Sequence, residues 1–365
     1  MDGKKDFVRI GLIGCGGIAN GTHIPGYLKI PEMAKITAVC DINEERLGKV
    51  GDKLEIPAKA RFTDYRDLIA SGLVDAIDIC TPNHVHCEIA HAAINAGLPF
   101  SIEKPIGLSY EEAKALADAV ERTGTPSFVC FSWRYREYTR YVRDIIKSGK
   151  LGKIYHIYVT CIKDSGLWEG RKLEWRFDKN KGGTGVLGDL GSHMVDIVRF
   201  WGEEFDGVFA QRDIYIKERM REDCDEIAEV TTDDWCNINA SSKNGIPITI
   251  ALSRVATTID ARMEFDVMGE NGRIRYVNDN GQYIEACFGE DVKARKFERL
   301  TPPESYEGNQ SKSFVEMLLG RKDQYTSELV HGMECQKVLE AAQISCDIGE
   351  YVRIEDVESG KRRIK

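Results

Sequence analysis

Three short stretches carry side chains able to move a proton or stabilise a charged oxygen. Asp189-Leu190-Gly191-Ser192-His193 spaces a carboxylate and an imidazole at i, i+4, on one face of a regular helix. A carboxylate beside a histidine orients the ring and raises its basicity. Taken alone, the same spacing also reads as an ion pair on a helix surface. Glu103-Lys104-Pro105 puts a lysine at the end of a short apolar strand, with its backbone restrained by the proline. A lysine so placed is otherwise only a solvated charge. Thr81-Pro82-Asn83-His84-Val85-His86 is a polar turn after the strand Ala76–Cys80. With Cys87 and His91 it gathers metal-ligating residue types, but their spacing matches no common zinc pattern and no metal is expected.

The elements that would position these groups begin at Val8. Val8–Ile13 reads as a short buried strand. It runs into Gly14-Cys15-Gly16-Gly17-Ile18-Ala19, a G-x-G-x-x-A turn. Gly14 allows the tight turn, Gly16 lets a pyrophosphate approach, and Ala19 packs helix on strand. Phosphates would then rest on N–H groups at a helix N-terminus. A second strand, Lys35–Cys40, ends at Asp41. That carboxylate is placed to accept from an adenosine ribose and to repel a 2′-phosphate. A glycine turn alone does not imply a ligand. The strand before it and the strand-ending Asp after it make the dinucleotide reading, with NAD as the expected cofactor.

Strand and helix then alternate. Helices are expected over Glu44–Leu54, Tyr65–Ser71 and Cys87–Ala96, the last stopped by Gly97. Ser109 with Glu112 forms a capping box for a helix to Thr123. Phe128–Phe131 closes the series. Such repeats predict an α/β domain, a Rossmann-type doubly wound parallel sheet over residues 1–126, whose strand-end loops face one crevice. Residues 127–365 change character: a helix Tyr138–Ser148, a strand Ile154–Lys163, a polar segment Asp164–Lys181, and a helical stretch from Gly182-Gly183 through Trp201. Six strand-like runs between Val208 and Phe288 follow, with a hairpin turn at Asn271-Gly272. Helices Ser311–Leu319 and Glu328–Cys346 complete a second, α+β domain with an open, mainly antiparallel sheet. Its uncovered face predicts a homo-oligomer.

Composition narrows the function classes. The net charge of −9 argues against a sequence-independent grip on nucleic acid. No apolar run is long enough to span a bilayer, and no signal peptide is evident. Eleven cysteines, with no C-x-x-C pair, point to a reducing cytoplasm.

The four motifs together resemble the glucose–fructose oxidoreductase, inositol dehydrogenase and rhizopine-catabolism family (Gfo/Idh/MocA). The G-x-G-x-x-A turn, Thr81-Pro82-Asn83 with His86, Glu103-Lys104-Pro105, and Gly182-Gly183 leading to Asp189-x-Gly191-x-His193 stand in that family's order and spacing. The resemblance implies Lys104, Asp189 and His193 as the catalytic set, with the Lys104–Pro105 peptide commonly cis. It implies a cofactor held by Gly14, Gly16, Gly17, Ile18, Asp41, Thr81, Pro82, Asn83, His86, Glu103 and Lys104. It implies a sugar, cyclitol or glycoside substrate. Trp168 and Arg176, on the polar segment, are expected to meet substrate beside Lys104 and His193; Trp133 and Trp175 read equally as core. The expected activity is hydride transfer between NAD and a secondary hydroxyl or keto group. Two alternatives remain: a redox-neutral enzyme that retains NAD under the cover of Gly21–Tyr27 and the C-terminal helix, and a nucleotide-sensing regulator without catalysis.

Overall fold

The computed structural model describes residues 7–278 and 281–364. The outer ends of the two expected domains, residues 1–6 and 365, lie outside them. The chain divides into two compact units. The first runs through Ser132 and takes in Asn309–Met333; the second holds Trp133–Gly308 and the segment from Glu334 onward. The expected division after residue 126 would cut away the last strand of the first sheet and miss the returning segment.

In the first unit, β1 (Val8–Ile13), β2 (Ala34–Cys40), β3 (Arg61–Phe62), β4 (Ala76–Ile79), β5 (Phe100–Ile102) and β6 (Ser127–Val129) form one sheet in the order β3-β2-β1-β4-β5-β6. All its pairs are parallel. Helices cover both faces, so the central strands are buried on both sides rather than alternating; every residue of β4 and β5 is buried, Asp78 and Ser101 among them. The helix-closing signals behave as their chemistry requires. Gly97 and Gly124 take the left-handed conformation that stops a helix. Ser109 Oγ accepts from Glu112 N–H at 3.2 Å, while Glu112 Oε2 accepts from Leu108 N–H at 2.8 Å. The capping box is therefore closed one residue earlier than its simplest form. The segment Asn309–Met333 returns to this unit: Val129 N–H donates to Ser327 O at 2.8 Å, and Phe314 packs on Phe128. Sequence periodicity has no means of announcing that return.

The second unit contains a sheet of nine strands. They are β7 (Ile154–Ile162), β8 (Phe205–Asp213), β11 (Trp235–Ser242), β12 (Pro247–Ser253), β13 (Arg262–Gly269), β14 (Gly272–Asn278), β15 (Gln282–Phe288), β16 (Glu298–Leu300) and β17 (Val352–Arg353). A separate hairpin pairs β9 (Glu218–Met220) with β10 (Ile227–Glu229). The order is β16-β15-β14-β13-β7-β12-β11-β8-β17. Among the described residues β7 and β12 pair in parallel and the other neighbours are antiparallel. Burial alternates along most of these strands, because one face alone is covered. Ile157, Val159 and Cys161 of β7 are buried, while Tyr158 between them is exposed. The β13–β14 turn is Glu270-Asn271 rather than Asn271-Gly272, since Gly269 pairs with Gly272. Gly272 serves the close approach of β15 instead: a Cβ there would lie 2.8 Å from Cys287 O.

The helical stretch after Gly182-Gly183 is broken. Gly183, at φ +77°, ends a short helix, and two more follow, Val186–Asp189 and Gly191–Phe200, meeting at Leu190. Asp189 and His193 therefore belong to successive helices.

Candidate functional site

In the first unit the strand ends converge on the glycine turn. Gly14 N–H donates to Cys40 O at 2.8 Å, Cys80 N–H to Ile13 O at 2.7 Å, and Glu103 N–H to Ile79 O at 3.0 Å. The loops after β1, β2, β4 and β5 thus form one rim. Gly14 has φ +96°, and a Cβ there would fall 2.5 Å from Cys80 O, so no other residue fits. At Gly16 and Gly17 a Cβ would meet nothing within 4 Å. That open space at the start of a helix is the cradle a pyrophosphate needs. Asp41 Oδ2 accepts from Cys15 N–H at 2.7 Å and Oδ1 from Asn43 N–H at 2.8 Å. Its carboxylate is therefore fixed to the glycine turn, with lone pairs left for a ribose. Burial first, then Asp41, pushes the Cys15 thiol up to about 12, so it stays neutral beside this carboxylate. The residues present fit NAD.

The helix after the turn is irregular. Ala19–His23 form a π-turn, closed by Ile24 N–H on Ala19 O, directly before Pro25. The widened turn absorbs a proline that lacks the N–H a regular helix would use. The segment turns His23 and Tyr27 inward, where both are buried.

Asn83 is buried, and Lys104 is half-buried on the rim with its peptide to Pro105 cis. His86 is fully buried. Its Nδ1 faces Pro105 O at 2.9 Å and its Nε2 faces Thr81 O at 2.8 Å. Burial lowers its pKa against the pull of these two carbonyls. His86 is thus a brace between the loop after β4 and the loop after β5, in place of the cofactor contact expected for it.

In the second unit, Asp189 Oδ2 pairs with Lys163 Nζ at 3.3 Å. The short helix carrying Asp189 is held by Asp233, whose two carboxylate oxygens accept from Gly185 N–H at 2.8 Å and Leu187 N–H at 2.9 Å. A Cβ at Gly185 would lie 1.8 Å from Asp233 O, which explains a glycine there. The His193 ring is buried and stacks on Trp133, with centroids 5.5 Å apart and planes 19° apart. Arg136 lies on the same indole, 3.9 Å from its centroid. Beneath this stack Arg134 and Asp196 form a buried bidentate pair. Trp133 is therefore a wall of the histidine. Lys163, Arg136, Arg134 and Asp196 are additions that no local pattern marks.

Trp168 is 56% exposed, hydrogen-bonded to Asp164 Oδ1 at 3.1 Å, with Arg171 5.3 Å from its ring. Arg176 stacks on Trp175 at 4.3 Å and leans toward Glu174 at 3.9 Å. Both expected substrate residues thus lie on one segment of this unit with polar side chains around them.

Residues 8–131 match the model described as oxidoreductase family, NAD-binding Rossmann fold, and residues 139–275 the GFO/IDH/MocA C-terminal domain. Levoglucosan dehydrogenase of Pseudarthrobacter phenanthrenivorans is 27% identical over 307 residues, covering 79% of this chain and 78% of that protein. Glucose-6-phosphate 3-dehydrogenase of Bacillus subtilis is 28% identical over 285 residues, 78% of each chain. A solved levoglucosan dehydrogenase in complex with NADH shares the fold, at a TM-score of 0.87 and 24% identity over 95% of this chain and 99% of that one. No helix among the described residues is long and apolar enough to cross a membrane.

Proposed function

Because the chain belongs to the GFO/IDH/MocA family of oxidoreductases, we propose that it oxidises a secondary hydroxyl of a sugar, cyclitol or glycoside with NAD. The observation that carries this reading is the rim of the first sheet, where an open glycine cradle, a ribose-reading Asp41 and Lys104 stand at strand ends on one side of the sheet. NAD, when bound, accepts the hydride lost by the carbinol carbon. The reading assigns His193 the hydroxyl proton and Lys104 the hydrogen bond that stabilises the oxygen as charge develops. Asp189 and Lys163 hold each other, which sets the carboxylate beside the histidine helix. Trp133 restricts the imidazole to one plane. Trp168 offers an exposed aromatic face of the kind that suits the C–H face of a sugar ring, and Arg176 a donor for its hydroxyl groups. The test is NADH formation across a panel of free sugars, anhydrosugars, sugar phosphates, cyclitols and glucosides. Turnover of a glycoside without added NAD, with near-stoichiometric NAD released on denaturation, would replace this reading with the redox-neutral one.

The cofactor preference follows from Asp41. Asp41→Ala is expected to narrow the NAD/NADP ratio of kcat/KM, since a hydrogen bond to a charged group contributes about 1.5–3 kcal/mol. Equal use of both cofactors by the unaltered protein would remove Asp41 from this role.

The uncovered face of the second sheet fits a second copy of this chain. Tyr158 and the Arg273–Asp266 and Arg275–Glu285 pairs lie on it, a mixture of aromatic and paired charge that is self-complementary about a two-fold axis. Light scattering at micromolar concentration is expected to give a dimer or a multiple of it. A monomer would exclude this use of the face.

A further inference from the structure

Behind the Glu103-Lys104 rim, within the first unit, a histidine sits between two carboxylates in the interior. His23 Nδ1 is 2.7 Å from Asp78 Oδ2, and its Nε2 is 2.9 Å from Glu103 Oε1. His23 and Asp78 are each 1% exposed. Asp78 also accepts from Ser101 Oγ and the Tyr27 hydroxyl, so it is saturated with donors. The second oxygen of Glu103 accepts the main-chain N–H of Lys104 at 3.1 Å. Both partners of the ring thus act as acceptors, and a histidine can serve two acceptors only with both nitrogens protonated.

We infer that His23 is a positioning residue for Lys104: its doubly protonated ring, clamped by Asp78, fixes the Glu103 carboxylate that in turn holds the Lys104 main chain. The inference rests on the role proposed above for Lys104. The chain of bonds is continuous from β4 to the rim: Ser101 and Tyr27 on Asp78, Asp78 on His23, His23 on Glu103, Glu103 on Lys104. The π-turn at Ala19–His23 places the ring there, so the helix that opens the nucleotide cradle also sets the catalytic lysine.

The groups facing His23 from the surrounding elements bear this out. Cys80, after β4, is pushed up to about 12, chiefly by burial. Cys130, after β6, and Tyr27, one turn on, are both raised well above their ordinary values, again chiefly by burial. All three are neutral at ordinary pH. Gln310, Ser311 and Phe314, from the returning segment, line the same space and carry no charge. The ring therefore faces the carboxyl groups of Asp78 and Glu103 among neutral neighbours. Burial lowers the pKa of His23, but Asp78 more than offsets this and lifts it well above 6.5. The stabilisation is fully present below the unfolded value of about 6.5 and is lost as pH rises through the raised folded value.

The test has readouts independent of turnover. In wild-type protein labelled with [15N]histidine, the His23 ring, assigned by its disappearance in His23→Gln, is expected to show both nitrogens protonated from pH 6 to 8. A neutral-tautomer signature at pH 7 would overturn the inference, because one carboxyl would then carry the proton. In His23→Gln the Lys104 amide resonance is expected to shift and its hydrogen exchange to quicken by at least about ten-fold. An unmoved Lys104 amide would also overturn it. Should His23→Gln fail to fold, Glu103→Gln supplies the second reading. It keeps a partner for the ring and can lose the acceptor for Lys104, so the same change at the Lys104 amide is expected there. With a turned-over substrate, both variants are expected to lower kcat about 10–100-fold at an unchanged KM for NAD. A loss confined to KM would contradict a positioning role. Cys80 with His23 and Asp78, and Cys130 with His23 and Glu103, also bring ligating atoms within 4.8 Å of one another. Stoichiometric metal in the purified protein, removable by chelator, would replace the inference with a metal site. If no substrate is found but the ring is doubly protonated and the Lys104 amide responds, the positioning network stands and the proposed reaction alone fails.

Discussion

Replacing Lys104 or His193 by alanine is expected to lower kcat by about 10²–10⁴-fold while the affinity for NAD changes little. The two residues come from different units and different kinds of element, a strand-end loop and a buried helix. Neither substitution should disturb the fold around it. The Lys104 main chain is held through its N–H by Glu103, a bond the side chain does not enter. His193→Ala removes a ring stacked on Trp133 but leaves the Arg134–Asp196 pair beneath it. Lys104→Arg is not expected to restore the rate, because a planar guanidinium cannot take the position of a compact ammonium. The comparison to make is kcat against the NAD dissociation constant measured by fluorescence or calorimetry. Near-native turnover in either variant would remove that residue from the chemistry. A large loss of NAD affinity with kcat intact would turn it into a binding residue.

The largest expected effect on stability lies at Asp196. Its carboxylate is fully buried and held bidentately by Arg134, itself 2% exposed. Asp196→Ala would leave a guanidinium buried without its counter-charge, which is expected to destabilise by about 3–5 kcal/mol. Burial by itself pushes the Asp196 pKa up, and Arg134 opposes that, so the pair exists at the expense of two desolvated charges. Replacing both partners with apolar residues of similar volume, Arg134→Met with Asp196→Leu, should recover much of the loss. Function would not recover with it. Arg134 neighbours Trp133 in sequence, and Asp196 lies on the His193 helix, so the pair ties the stacking surface to the ring it orients. Urea unfolding of the three variants checks the order. A single Asp196→Ala variant within about 1 kcal/mol of the native protein would mean that the interior relaxes around the guanidinium.

The family comparisons and the sheet topology agree on the same architecture, and much of it was legible from local signals. The glycine turn, the strand-ending Asp41, the Ser109–Glu112 cap and the glycine stop at 97 act within a few residues, or through a repeating strand–helix pattern. Their chemistry is local, so their sequence is sufficient. Strand-like runs likewise marked the open second sheet, because a side-chain period of two follows from the pleat alone.

What the sequence left open was decided by partners far away along the chain. The start of the short helix before Leu190 is fixed by Asp233, 46 residues from Leu187. Asp189 finds Lys163 at a separation of 26 residues, and His193 finds Trp133 through a stack that has no periodic signature. His86 stands in a motif that reads as cofactor-binding, yet packing turned both its nitrogens onto carbonyls of the rim. His23 read as part of a surface cover until the π-turn before Pro25 carried it between Asp78 and Glu103, 55 and 80 residues away. Hydrogen-bond donors and charges are satisfied wherever the fold brings a partner within about 3 Å, and no rule of spacing encodes that distance. Sequence determined which elements form and which residues could react; the tertiary structure decided which of those residues are braces, which are held as pairs, and which remain on the rim.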